Sequence, residues 1–195
     1  MGFVSVLAMA HKLVQDRVQP GDCAVDATVG NGIDTSVLCN LTGPKGAVFG
    51  FDVQETALQT AEQRVRRECG SAAQSLKLIL ASHEHMLQHL PAVYHGQAAA
   101  VMFNLGYLPN ADSEETQRII TEPQSTLTAL QASLTVLRPR GVLTIVVYPG
   151  HAGGAEEAEA VLAWAAQLPS ATGQAMTYRM VQKPSAPYLI AVERR

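Results

Sequence analysis

The stretch Cys23-Ala24-Val25-Asp26-Ala27-Thr28-Val29-Gly30-Asn31-Gly32-Ile33-Asp34-Thr35 constrains the fold more than any other part of the chain. An apolar run over residues 23–27 leads into two glycines one residue apart. An amphipathic segment then opens at Asp34 or Thr35, so the pattern reads as strand, glycine turn and helix. Glycine frees the backbone there for dihedrals that a side chain forbids and lets a ligand come close. The next apolar run, Ala47-Val48-Phe49-Gly50-Phe51, ends in Asp52, whose carboxylate is placed to accept both hydroxyls of a ribose. Turn and acid together define one half of a cofactor site; a tight strand-to-helix turn that holds no ligand is the bland alternative.

Electrostatics narrows the choice of cofactor. A dinucleotide turn has a third glycine where Thr35 stands and seats a pyrophosphate on the helix N-terminus. Here Asp26 and Asp34 flank that position, and two phosphates against two aspartates repel without a cation. S-adenosylmethionine has no phosphate and carries a sulfonium and an ammonium group, so the residues favour it over NAD. The expected contacts of this half are Asp26, Thr28, Gly30, Asn31, Gly32, Asp34, Thr35, Asp52 and Gln54.

A length of 195 residues suits one domain spanning 1–195, with a helix within residues 1–19 packed on it. Many alanines and few aromatics suit an α/β protein with helices close against a sheet. Cys23, Cys39 and Cys69 form no CxxC pair and read as buried or free thiols in a reducing compartment. The apolar start, residues 3–10, imitates a signal peptide, but no Lys or Arg precedes it, and residues 3–18 read as an amphipathic helix. With no stretch near the ~20 apolar residues of a membrane helix, the expected location is cytoplasmic. A net charge of -3 gives no global attraction to nucleic acid, so RNA binding requires a local patch. Lys12, Arg17, Arg138, Arg140 and Lys183, near turns or termini, are its candidates.

Along the chain, strands are expected at residues 23–27, 47–52, 76–80, 98–103, 142–148, 177–181 and 188–193. Helices are expected at 35–41 and 55–69, where Arg64, Arg66 and Arg67 read as a solvated face with RNA contact as the minority reading. Thr121 with Gln124 forms a capping box for a further helix, with Leu127, Leu130, Leu134 and Leu137 on one face until residues 138–141 break it. A last helix, with Glu156 and Glu157 in its first turn, ends before Pro169. Ligands in such sheets lie at the carboxyl ends of strands, so Ser82 and His83 are candidates to meet an adenine. His83, His85 and His89 lack a cysteine motif or an HExxH pattern, and no metal is expected. The fourth strand runs into Asn104-Leu105-Gly106-Tyr107-Leu108-Pro109 and the fifth into Pro149-Gly150-His151-Ala152-Gly153-Gly154, two loops suited to hold a reacting group.

Five parallel strands alternating with helices, then two strands with no helix between them, resemble a Rossmann-like class I S-adenosylmethionine-dependent methyltransferase. The expected fold is therefore α/β, with a seven-stranded, mostly parallel sheet, an antiparallel last strand and helices on both faces. Asp26-Ala27-Thr28 through Asp34-Thr35, Phe51-Asp52-Val53-Gln54, Ser82-His83-Glu84, Asn104-Leu105-Gly106-Tyr107-Leu108-Pro109 and Tyr148-Pro149-Gly150-His151-Ala152-Gly153-Gly154 resemble the YtqB/MnmM-type family over almost the whole chain. Thr28 stands at the first glycine position of the general turn, which that family accepts, and Lys183-Pro184-Ser185-Ala186-Pro187 departs from the family's segment before the last strand.

The resemblance implies methyl transfer from S-adenosylmethionine to the amine of 5-aminomethyl-2-thiouridine at a tRNA wobble position. Its implied partner is the tRNA anticodon region, with no membrane and no metal, and with a homodimer as an admissible assembly. An aliphatic amine titrates between about 8 and 10.4 and must lose a proton before it attacks. Asn104 can accept an amine hydrogen bond, Tyr107 can stack on a base or close the pocket, and His151 is the candidate proton acceptor. Each has a structural alternative: turn former, packing residue and loop hydrogen bonder. Gly106 joins Asn104 among the expected cofactor contacts. A methyltransferase for rRNA or a small-molecule amine stays open as a second reading, and a non-enzymatic nucleotide-binding module as a third.

Overall fold

Strands β1 (Cys23–Asp26) and β4 (Ala98–Asn104) are buried along almost their whole length, as continuous apolar runs require when helices cover both faces of a parallel sheet. The computed structural model describes residues 2–106, 123–150 and 153–195. Thr121, Tyr107 and His151 lie outside the described residues. Strands β2 (Ala47–Asp52), β3 (Leu76–Leu80) and β5 (Leu137–Val147) run parallel with β1 and β4. Strand β7 (Tyr188–Arg194) runs antiparallel to β5, and β6 (Gly173–Tyr178) pairs antiparallel with β7 at the sheet edge. The spatial order is β3-β2-β1-β4-β5-β7-β6. It reverses direction between β1 and β4, the switch point at which open α/β sheets bind ligands.

Helices α1 (Val6–Gln15), α2 (Ile33–Thr42) and α3 (Glu55–Cys69) cover one face, where Ala10, Val14, Leu38 and Val65 pack on Ala24, Val48, Met102 and Val146. The single turn α4 (Met86–His89), α5 (Pro123–Val136) and α6 (Gly154–Ala166) cover the other, where Met86, Leu130 and Val161 pack on Phe49, Phe103 and Ile145. Phe49, Phe51 and Phe103 are fully buried, each contributing about 1.5–3 kcal/mol. The exposed pair Arg66–Glu62 on α3 belongs to a class worth about 0.2–1 kcal/mol. Sheet packing, not surface ion pairing, sets where the strand ends lie.

Two segments differ from expectation. Leu137 does not extend the helix face of Leu127, Leu130 and Leu134; α5 stops at Val136 and β5 begins at once. Leu137 pairs with Ala98 and Val142 with Ala100, so the chain from Arg138 to Gly141 forms an irregularity inside the strand. There Arg140 adopts φ 64°, and a Cβ on Gly141 would stand 2.9 Å from the Ala98 carbonyl oxygen. The sixth strand lies at Gly173–Tyr178 rather than 177–181 because Gly173 permits the close approach of the Glu193 carbonyl, 2.9 Å from the site of a Cβ. The apolar Met180 and Val181 that suggested a strand are exposed in the connection that follows.

Candidate active site

The carboxyl ends of β1, β2, β4 and β5 bring most of the candidate residues to one edge. Asp26 ends β1 and is fully buried. Its Oδ2 accepts from the Thr35 hydroxyl at 2.5 Å and its Oδ1 from the Thr28 N–H at 3.1 Å. Burial, and then the charge of Asp34, push its carboxyl up to about 7 against the pull of those two hydrogen bonds. Thr28 also ties the turn to β4, because its hydroxyl accepts from the Asn104 N–H at 2.7 Å.

Gly32 occupies the left-handed region at φ 79° and caps α2, and a Cβ there would stand 2.7 Å from the Ala61 Cα of α3. The second glycine of the turn is thus required by helix packing as well as by its backbone angle. Asn31 joins the same contact through its carbonyl, which accepts from Arg64 Nε at 2.7 Å. Arg66 and Arg67 form the solvated face expected of α3, engaging Glu62 and Glu68, whereas Arg64, although it also engages Glu68, is half-buried and turned in to the glycine turn.

Asp52 ends β2 with its carboxylate held by backbone N–H groups, Oδ2 by Gly30 at 2.9 Å and Oδ1 by Gln54 at 2.9 Å, with the Val53 N–H also directed at it. Burial raises its pKa and these N–H groups oppose the rise. The carboxylate retains acceptor capacity for a further donor, and Gln54 Oε1 is buried without a partner among the described residues. Three carboxylates and an unpaired acceptor suit a ligand rich in donors and positive charge.

Ser82 and His83 separate. Ser82 is half-exposed and caps the turn that follows. His83 is buried beneath the strands, where Nδ1 meets the Ala27 carbonyl at 3.1 Å, the ring stands edge-on to Phe103 at 5.5 Å, and burial lowers its pKa. It supports the turn from below. Among the described residues, no group of three or more His, Cys, Asp or Glu could hold a metal ion, and no helix is long and apolar enough to cross a membrane. Cys23, Cys39 and Cys69 are buried free thiols.

Two residues enter the site to which the sequence assigned no role there. The hydroxyl of Tyr148, just beyond β5, hydrogen-bonds the Asn104 side chain; burial first, and then the charge of Asp34, raise its pKa. His11 reaches across from α1, with Nε2 2.5 Å from Asp34 Oδ1. Tyr148 was legible from the rule that selected Asn104, a polar residue at the end of a buried strand. His11 was not, since its partner lies on another helix. Two of the candidate basic residues lie at the opposite edge of the sheet from these acids, where β1 begins: Arg17 pairs with Glu193 and Arg138 with Asp22.

The family described as "Putative rRNA methylase" matches residues 48–193. The chain is 34% identical over 193 residues to the Arabidopsis thaliana protein named tRNA (mnm(5)s(2)U34)-methyltransferase, chloroplastic, covering 96% of this chain and 68% of that protein. Its fold is similar to that of a "putative rRNA-methylase" from Clostridium thermocellum, with a TM-score of 0.91, 31% identity and full coverage of both chains. A "putative methyltransferase" from Streptococcus mutans, solved in complex with SAH, gives a TM-score of 0.84 at 30% identity, also with full coverage of both. With the strand order of a class I methyltransferase and acids at the ends of β1 and β2, the chain belongs to this methylase family.

Proposed function

We propose that the protein is an S-adenosylmethionine-dependent methyltransferase acting on tRNA, and that it methylates the amine of 5-aminomethyl-2-thiouridine at the wobble position. The observation that carries the substrate is the 34% identity, over 96% of the chain, with a protein named for that reaction. When bound, the cofactor supplies an electrophilic methyl group on a sulfonium. Asp52, held by Gly30 and Gln54, accepts the ribose hydroxyls; Asp26 and Asp34 supply negative charge beside the turn; and Thr28, Asn31, Thr35 and Ser82 shape its walls. Asn104, fixed by Thr28 through its backbone and by Tyr148 through its side chain, orients the incoming amine. Tyr107 and His151 keep their sequence-based roles as pocket wall and proton acceptor. No covalent nucleophile is needed, because alignment and proton removal account for the chemistry.

The reading is tested by mass spectrometry of tRNA nucleosides from a strain lacking the gene. It expects the unmethylated aminomethyl nucleoside to accumulate and a plasmid copy to restore the methylated one. Unchanged tRNA with an unmethylated rRNA site would favour the second reading.

A further inference from the structure

His11 is the residue of this site that no turn or loop motif contains. It lies on α1, its side chain is 22% exposed and that of Asp34 8%, and Nε2 and Oδ1 stand 2.5 Å apart. Asp34 belongs to a crowded acidic wall. Asp26 from β1 and Asp34 from α2 act on one another, Thr35 next to Asp34 donates to Asp26, Asp52 adds a third charge from the end of β2, and the Tyr148 phenol faces Asp34 from beyond β5. The charge of Asp34 raises the cost of ionising the buried Asp26, and a cation beside Asp34 offsets that cost.

We infer that His11, in its protonated form, is a positioning residue for the cofactor: it pairs with Asp34 and fixes it, offsetting the repulsion between Asp34 and Asp26 where the acidic wall meets a cationic ligand. The hydrogen bond to Asp34 and the charges of Asp34 and Asp26 hold the imidazole above its ordinary pKa against the opposing effect of burial. The inference rests on the use of S-adenosylmethionine. A purely structural role, tying α1 to α2, would cost stability when lost but would not alter how ligand affinity depends on pH.

The test is calorimetry of S-adenosylmethionine binding from pH 5.5 to 8.5 for the wild type, His11→Gln, Asp34→Asn and the double variant, with a melting curve for each. Removing a neighbouring cation disfavours the charged form of a carboxyl, so the acidic limb of the His11→Gln profile should move to higher pH, with affinity about tenfold weaker near neutrality. S-adenosylhomocysteine, which lacks the sulfonium charge, should show a smaller effect, and His11→Gln should add little in the Asp34→Asn background. Superimposable wild-type and His11→Gln profiles, or an undiminished His11→Gln effect with Asp34→Asn, would overturn the inference. Absence of binding by the wild type would overturn the cofactor reading itself. NMR titration of the His11 ring needs no His11 variant: its midpoint should lie above that of an ordinary histidine and drop in Asp34→Asn, and an equal midpoint in both proteins contradicts the pairing.

Discussion

Complete burial of Asp26 beside Asp34 leaves the ligand-free protein with an electrostatic cost that depends on pH. The folded pKa of Asp26, about 7, lies above its ordinary value of 3.8, so between those values the folded chain holds a proton that the unfolded chain releases. Stability therefore falls as pH rises from about 4 through about 7. His11 acts in the same direction: its pKa is raised above 6.5, so its contribution is full below that value and is lost as pH climbs through the folded pKa. The melting midpoint of the ligand-free protein should be lower at pH 8 than at pH 6, and Asp26→Asn should flatten that slope while weakening S-adenosylmethionine binding. A wild-type midpoint that rises over this range would contradict the assignment. Neighbouring positions divide the work differently. Asp52→Ala should cost about 1.5–3 kcal/mol of cofactor affinity, the range for hydrogen bonds to a charged group. Asn104→Ala should leave affinity nearly intact and slow methyl transfer by roughly 10²-fold through misalignment. Calorimetry and single-turnover kinetics separate the two effects.

At the level of elements, the glycine turn shows what a sequence conveys and what it conceals. Strand, turn and acid were readable from apolar runs and glycine spacing, and β2, α3 and β3 lie at the expected residues because each is bounded by a glycine, an acid or a polar break. The start of β5 was not readable, since Arg138-Pro139-Arg140-Gly141 has the composition of a helix stop and its role inside a strand depends on pairing with Ala98. His11 was equally opaque, because a histidine on an amphipathic helix carries no mark of a partner 23 residues away. Gly32 had a local signal, but its packing reason is tertiary: Ala61 of α3 fills the space of a Cβ. Gly32→Ala combines a left-handed backbone, about 1–2 kcal/mol, with overpacking, about 1–3 kcal/mol. It should therefore destabilise the fold by about 2–5 kcal/mol in chemical denaturation. A loss below about 1 kcal/mol would show that α3 yields easily and that the turn is less constrained than its geometry implies.

For the whole molecule, the net charge of -3 and the ion pairs of Arg17 and Arg138 at the far edge of the sheet limit where a polyanion can dock. Lys183, in the connection from β6 to β7, stands at the same edge as the candidate site, because β6 ends at Tyr178 and β7 begins opposite Val147. Binding of tRNA should weaken linearly in log affinity against log salt with a shallow slope, reflecting few phosphate contacts. Lys183→Glu should reduce affinity more than Arg17→Glu, and the reverse order would move the RNA to the other edge. The central claim is tested most directly by incubating the purified protein with S-adenosylmethionine carrying an isotopically labelled methyl group and with tRNA bearing 5-aminomethyl-2-thiouridine, then sequencing the product by mass spectrometry. The account predicts one labelled methyl group on the exocyclic amine of the wobble nucleoside, and label on another base, on rRNA alone or on no RNA would contradict it.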